Sequence, residues 1–288
     1  MSIERVFVAG AGLMGHGIAQ VHAAAGKSVV LYEPELARAQ AGRERIAGNL
    51  ERAVAKGRLS ADERDALLGR IRPTGELGAA AEADIVIEAV FEDVGVKTQL
   101  WADLDRWAPA RAIFASNTSS ISIDRLAAAV SEPRRARFLG LHFFSPVPVM
   151  PLIELIRGGA TDDATEAAAR ALAGELGKQV IVSADRPGFI VNRVLMPLLA
   201  EAMRALEEGL ATREDIDTGA KVGLNHPMGP LELADFIGLD VVLGIMRVLH
   251  EGFSQEHFRP PAVLEQLVAA GKLGQKTGEG FYRYPRES

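Results

Sequence analysis

The hydrophobic and polar positions of this chain follow two different periods. As far as Ser183, short β-branched apolar runs alternate with stretches whose apolar residues recur every three or four positions. Ile3–Ala9 predicts a buried strand, Leu13–Ala25 a helix stopped by Gly26, and Ser28–Tyr32 a second strand. Glu35–Lys56 reads as one long helix, with Ile46, Leu50, Ala53 and Val54 at helical spacing and Gly57 after its end. Ser60-Ala-Asp-Glu63 is a capping box for the next helix. Asp84–Val90, Ala112–Ser116, the run through Phe138, Leu139 and Leu141 to His142, and Gln179–Ser183 predict further strands. Helices are expected over 96–107 and 163–176. Strands alternating with helices build a doubly wound, mostly parallel α/β sheet of the Rossmann type.

The alternation stops at Ala184-Asp-Arg-Pro-Gly188. Beyond it only helical spacing recurs, over 190–208, from a cap at Thr212, over 230–251 and over 261–270. Two domains are therefore expected: an α/β domain over 1–184 and an all-α domain over 185–288. The Leu, Val and Met content of the second predicts a face buried against the first domain or against a twin subunit.

Composition narrows the function classes. Of 288 residues, 48% are hydrophobic and 24% charged, enough apolar material for full cores. A net charge of −6 gives no basic footprint for nucleic acid or an anionic membrane surface. With no cysteine, disulfides, thiolate catalysis and Cys-based metal sites are excluded together, and no metal is expected. No apolar run has the length of a membrane span, and because a core strand is predicted within the first residues, no targeting segment is expected. A cytoplasmic enzyme is the expectation.

The first strand leads directly into Gly10-Ala-Gly12-Leu13-Met14-Gly15. Alone the spacing is weak. Here a strand precedes it, a helix follows, and the second strand ends in an acid, Glu33, the complete pattern of a dinucleotide site. Gly10 permits the tight turn, Gly12 the approach of a pyrophosphate, and Gly15 the packing of helix on sheet. Glu33 would take the adenosine ribose hydroxyls and repel a 2′-phosphate, favouring NAD over NADP. Arg38 and Arg43 are near enough in sequence to soften that choice. Further along the strand ends lie Glu88 (an unexpected charge in an apolar strand), Glu92, the hydroxyl-rich Ser116-Asn-Thr-Ser-Ser120, and His142, followed by Glu154 in a second apolar run. A strand that delivers a His to its C-terminal end, with an acid to orient it, is a common way to build a general base. The basic end of the long helix, with Arg43, Arg45, Arg52, Lys56 and then Arg58, is either a solvated face or a clamp for a polyanion.

Several blocks, in order, resemble the 3-hydroxyacyl-CoA dehydrogenase family: GAGLMGHGIAQ at 10–20, IEAVFEDVGVK at 87–97, SNTSSISI at 116–123, LHFFSPVPVMPLIELI at 141–156, DRPGFIVNR at 185–193, HPMGPLELADFIGLD at 226–240 and GEGFYRYP at 278–285. The resemblance implies an NAD-binding Rossmann domain and a helical domain that forms a homodimer and helps to close the substrate site. It implies oxidation of a (S)-3-hydroxyacyl-CoA, of short chain such as 3-hydroxybutyryl-CoA, to the 3-ketoacyl-CoA. His142 then matches the general base, Glu154 its partner, and Ser119 and Asn192 the residues that contact the substrate. Leu13, Met14, Glu92, Lys97, Ser119 and Ser145 match cofactor positions, with Ser145 standing where the family often has Asn. Lys56, with Arg52, falls near the CoA-binding position, and Asn49 replaces a serine that some members have. A sugar-acid 3-dehydrogenase on the same scaffold is the nearest rival. A non-catalytic NAD-binding protein would have no use for the His142/Glu154 pair or for Asn192.

Overall fold

The computed structural model describes residues 2–285, and the chain divides into two units, the first ending at Arg186 and the second starting at Pro187. The first is an eight-stranded sheet wrapped by helices. Its elements run β1 (Arg5–Ala9), α1 (Leu13–Ala24), β2 (Ser28–Tyr32), α2 (Leu36–Ala55), α3 (Ala61–Gly69), β3 (Ile71–Thr74), β4 (Ile85–Glu88), α4 (Val94–Trp107) and β5 (Ile113–Ser116). Then follow α5 (Ile123–Ala127), α6 (Glu132–Arg135), β6 (Phe138–Phe143), β7 (Leu152–Arg157), α7 (Asp163–Glu175) and β8 (Gln179–Ala184). The strand order is β3-β2-β1-β4-β5-β6-β7-β8, parallel throughout except where β7 runs antiparallel to β6. The chain thus winds outward from β1 in one direction and from β4 in the other, which places the topological switch between them.

Strands covered on both faces must be apolar along their length, and β1, β4, β5 and β6 are buried at nearly every position. Trp101 of α4 fills one side, its ring 4.9 Å from Phe114 and 4.8 Å from Phe138. The capping box forms as predicted: the Ser60 hydroxyl accepts from the Glu63 N–H, and the Glu63 carboxylate accepts from the Ser60 N–H. Two strands are not visible in the alternation. β3 is short and carries Pro73, which an edge strand tolerates because its N–H side need not pair. β7 holds Glu154, which reads as polar until its partner strand is known.

One buried polar group in this unit belongs to α1. His22 has no exposed surface, and its Nδ1–H donates to the Ile18 carbonyl at 2.7 Å. Its Nε2 has no partner among the described residues, and its ring meets Phe143 edge-on at 6.2 Å. Burial pushes the imidazole down to about 4, against the opposing pull of the Ile18 carbonyl.

The second unit is helical: α8 (Val191–Glu207), α9 (Arg213–Thr218), α10 (Pro230–Ile237), α11 (Leu239–Phe253) and α12 (Ala262–Ala269). Its core joins Met196, Leu199 and Met203 of α8 to Leu231 and Ala234 of α10 and to Val242, Met246 and Leu249 of α11. The helix predicted over 230–251 breaks in two at Gly238, whose φ of +101° lies outside the helical region. Two buried carboxylates latch the end of the chain. Asp217 accepts the Leu231 and Glu232 N–H groups at the start of α10 and the Tyr282 hydroxyl at 2.9 Å. Asp235 accepts the Phe281 and Tyr282 N–H groups and the Tyr284 hydroxyl. Among the described residues no helix is long and apolar enough to cross a membrane.

Candidate active site

The glycine-rich turn sits at the C-terminal end of β1, beside the switch point. Gly10 has φ +104°, and a Cβ there would lie 2.5 Å from the Ala89 carbonyl oxygen. At Gly15 a Cβ would fall 1.8 Å from the Gly10 carbonyl oxygen, so only glycine lets α1 press this close to the turn. A Cβ on Gly12 would face open space. Gly12 is also the N-cap of α1 and offers no side-chain acceptor to the first-turn N–H groups, while Leu13 beside it is exposed. An uncapped helix start facing open space suits the pyrophosphate of a dinucleotide, which would accept those N–H groups.

Glu33 follows β2, and its Oε1 accepts the Ala11 N–H at 2.7 Å, so the acid also braces the turn. The two arginines that could have met a 2′-phosphate are engaged elsewhere. Arg43 donates to the Leu68 and Ile71 carbonyls, and Arg38 pairs with Glu35 on the surface. Arg45 instead reaches the turn, donating to the Ala11 carbonyl at 2.7 Å. Along α2, Arg45, Asn49, Arg52 and Lys56 follow at helical spacing on one face, and Arg52 donates to Asn49.

At the other side of the switch, β6 and β7 set His142 directly opposite Glu154 in the antiparallel register. Opposed residues share a face, and His142 Nδ1 lies 2.8 Å from Glu154 Oε2. Glu154 has no exposed surface, and the His142 side chain retains 10%. A carboxylate only accepts, so Nδ1 is the donor and the basic lone pair of the neutral ring belongs to Nε2. The Phe144 ring packs 4.6 Å from the imidazole, and Asn117 accepts the Phe143 N–H at 2.9 Å, tying the end of β6 to the turn after β5.

That turn is organised by Glu92. Its Oε1 accepts the Thr118 hydroxyl at 2.6 Å, the Ser119 N–H at 2.9 Å, the Ser119 hydroxyl at 3.3 Å, and the N–H and hydroxyl of Ser120. Burial alone would raise this carboxyl, but the Lys97 charge and the Thr118 hydroxyl outweigh it and hold Glu92 below the usual carboxylate value. Lys97, on α4, is not a solvated helix lysine. Its side chain is 1% exposed, and Nζ is 2.6 Å from Glu88 Oε1 and 3.1 Å from Glu92 Oε2. Glu88, the charge that stood out within an apolar strand, is fully buried at the end of β4. It also accepts the Val90 N–H at 2.9 Å and the Ser116 hydroxyl at 2.6 Å.

Sequence profiles of two domain families cover the chain: the NAD binding domain of 3-hydroxyacyl-CoA dehydrogenase over residues 5–186 and its C-terminal domain over 188–284. A Mycobacterium tuberculosis protein named 3-hydroxybutyryl-CoA dehydrogenase is 49% identical over 98% of this chain and 99% of its own length. A Bradyrhizobium diazoefficiens protein of the same name is 50% identical over 98% and 96%. The crystal structure of (S)-3-hydroxybutyryl-CoA dehydrogenase from Ralstonia eutropha superposes with a TM-score of 0.96 at 46% identity, covering 99% of this chain and 100% of that one. The chain belongs to the 3-hydroxyacyl-CoA dehydrogenase family.

In this member of the 3-hydroxyacyl-CoA dehydrogenase family, His142, Glu154, Ser119, Glu92 and Lys97 lie at the ends of neighbouring strands β4 to β7 or on the segments that follow them. Gly10, Gly12, Leu13, Met14, Gly15 and Glu33 gather at the ends of β1 and β2. Arg52 is exposed in the last turn of α2 and Lys56 exposed at its C-cap, Ser145 is exposed just past β6, and Asn192 is buried in the first turn of α8 in the second unit. Glu88 was given no role by the sequence, and Arg45 entered only as one of the basic residues at the end of the long helix. A lone acid ending an apolar strand was the available signal for Glu88, and the charge of the basic helix end was the signal for Arg45, without pointing to the Ala11 carbonyl.

Proposed function

We propose that this protein catalyses the reversible NAD-dependent oxidation of a short-chain (S)-3-hydroxyacyl-CoA, such as 3-hydroxybutyryl-CoA, to the 3-ketoacyl-CoA. The observation that carries the reading is the His142–Glu154 pair, a buried imidazole held by a carboxylate at 2.8 Å on the sheet that carries the dinucleotide turn. The names of relatives about half identical to this chain support the thioester substrate.

His142 Nε2 takes the proton of the 3-hydroxyl, and Glu154 orients the ring and stabilises the imidazolium that forms. NAD, when bound, supplies the acceptor for the hydride leaving C3. Ser119, held by Glu92 through both its N–H and its hydroxyl, positions the reacting oxygen. Asn192 adds a further substrate contact. Gly10, Gly12, Leu13, Met14 and Gly15 hold the pyrophosphate, Glu33 the adenosine ribose, and Glu92, Lys97 and Ser145 the nicotinamide end. Arg52 and Lys56 meet the phosphates of CoA, where two cations on an exposed helix face gain most from a polyanion. The helical unit, from Pro187 on, carries dimerisation, supported by exposed Val194 and Leu198 of α8, Phe236 of α10 and Val241 of α11. The cytoplasm is the proposed compartment.

The test is the initial rate of NADH and of NADPH oxidation with acetoacetyl-CoA, with a sugar 3-keto acid run alongside. Fast turnover of the thioester with NADH is expected, and a His142→Gln variant should be slower by roughly 10²–10⁴. Wild-type turnover in that variant refutes the assignment of the base. Turnover of the sugar acid alone would move the chain to the rival activity.

A further inference from the structure

Glu88, Lys97 and Glu92 form one connected cluster of two carboxylates on a single ammonium, with Nζ 2.6 Å from one and 3.1 Å from the other. Glu88 and Lys97 are shut from solvent, whereas the Glu92 side chain keeps 36% of its surface. Every oxygen of the inner carboxylate is used: Oε1 by Lys97 and the Val90 N–H, Oε2 by the Ser116 hydroxyl. Glu92 is braced on Oε1 by the 118–120 turn, and its Oε2 faces Lys97. The cluster sits at the C-terminal end of β4, beside the switch point with β1, where Glu88 lies opposite Ala9 in the register.

A structural plug would balance its charges, because an unmatched buried charge is costly and an apolar replacement is often no less stable. Here the count does not balance. Two carboxylates face one ammonium, their other contacts are N–H and hydroxyl donors, and the cluster is partly open to the surface only at Glu92. We propose that this surplus charge, set by Glu88 through Lys97 and Glu92, selects the oxidised cofactor over the reduced one. The proposal rests on the reading above that Glu92 and Lys97 meet the nicotinamide end of NAD. The nicotinamide ring is cationic in NAD⁺ and neutral in NADH, so a nearby net negative charge favours the first alone. Glu88 acts through its neighbours and is a positioning residue. Its neutralisation leaves Lys97 and Glu92 as a balanced pair.

The experiment measures equilibrium binding of NAD⁺ and of NADH to the full-length protein by titration calorimetry, for wild type, Glu88→Gln and Glu88→Asp. A unit charge acting over about 10 Å at an effective dielectric near 20 changes an equilibrium roughly tenfold. Glu88→Gln keeps the shape and should raise the ratio of the NAD⁺ to the NADH dissociation constant about tenfold, chiefly through NAD⁺. Glu88→Asp keeps the charge and should leave that ratio within about twofold, even where both constants rise. Equal weakening of both cofactors in Glu88→Gln would overturn the proposal, since a merely structural role predicts it. Should Glu88→Gln not fold, Glu92→Gln removes the same unit charge from the more exposed end, and an unchanged ratio there overturns it as well. A wild-type protein that binds neither dinucleotide would instead remove the functional reading on which the proposal stands.

Discussion

Replacing His22 with Asn tests how burial of one imidazole limits acid stability. His22 is wholly enclosed in α1, and its folded-state value of about 4 lies well below the ordinary 6.5. Between these values the unfolded chain binds a proton that the folded chain refuses, so stability falls as the pH drops from 6.5 towards 4. Linkage converts that gap into roughly 2 kcal/mol lost between pH 7 and pH 5, approaching about 3 kcal/mol at the acid limit. His22→Asn preserves a donor for the Ile18 carbonyl but cannot titrate. At pH 7 the smaller side chain should cost about 1–2 kcal/mol through the space it leaves. Between pH 7 and pH 5, however, the variant should lose about 2 kcal/mol less than wild type. The assay is urea unfolding followed by tryptophan fluorescence, because both tryptophans, Trp101 and Trp107, lie in α4 of the first unit and report the domain that contains His22. With a urea slope of about 2 kcal/mol per molar, the two midpoints should converge by about 1 M on acidification. Midpoints that fall in parallel would refute the assignment of this acid sensitivity to His22.

Glu154→Gln removes the charge that faces the imidazolium while keeping a hydrogen-bond acceptor. A charge-assisted bond worth about 1.5–3 kcal/mol predicts a fall in kcat of roughly ten- to a hundredfold. KM for NADH should stay within about twofold, and a kcat within threefold of wild type would show that Glu154 only fills space. The double variant Arg52→Gln/Lys56→Gln should raise KM for acetoacetyl-CoA about tenfold and steepen no other parameter, with the effect shrinking as salt is added. An unchanged KM at low salt would leave this face of α2 without a role in CoA binding.

The parts of the fold written in local pattern were legible. β1, α1, β2 and the glycine spacing between them are set by neighbours in sequence, and the turn that holds Gly10 against Ala89 follows from them. What escaped depends on partners far along the chain. β7 carries a buried Glu154 whose polarity makes sense only opposite His142, and β3 is an edge strand too short and too polar to show a period. Gly238 sits inside an unbroken apolar spacing, so the break between α10 and α11 is visible only in its backbone angle. At the site, Glu92 and Lys97 entered through resemblance as cofactor positions. That they pair directly, with Glu88 as a second carboxylate on the same ammonium, required the distances between β4, α4 and the 118–120 turn. His22 drew no notice because an i to i−4 side-chain bond within a helix leaves no mark on hydrophobic spacing.

His142 and Glu154 occupy a single rung of the β6–β7 ladder, so the ladder sets their spacing and the connection over 144–151 does not. That hairpin is a cassette. A protein engineer could exchange its exposed positions, such as Val149, while keeping Phe144 on the imidazole, Val147 in the core and the carbonyls at 147 and 150 for Lys178 to grip, without touching the acid–base distance. A slip of one residue in either strand would do the opposite, turning one partner to the far face and dissolving the pair while every side chain needed for it was still present.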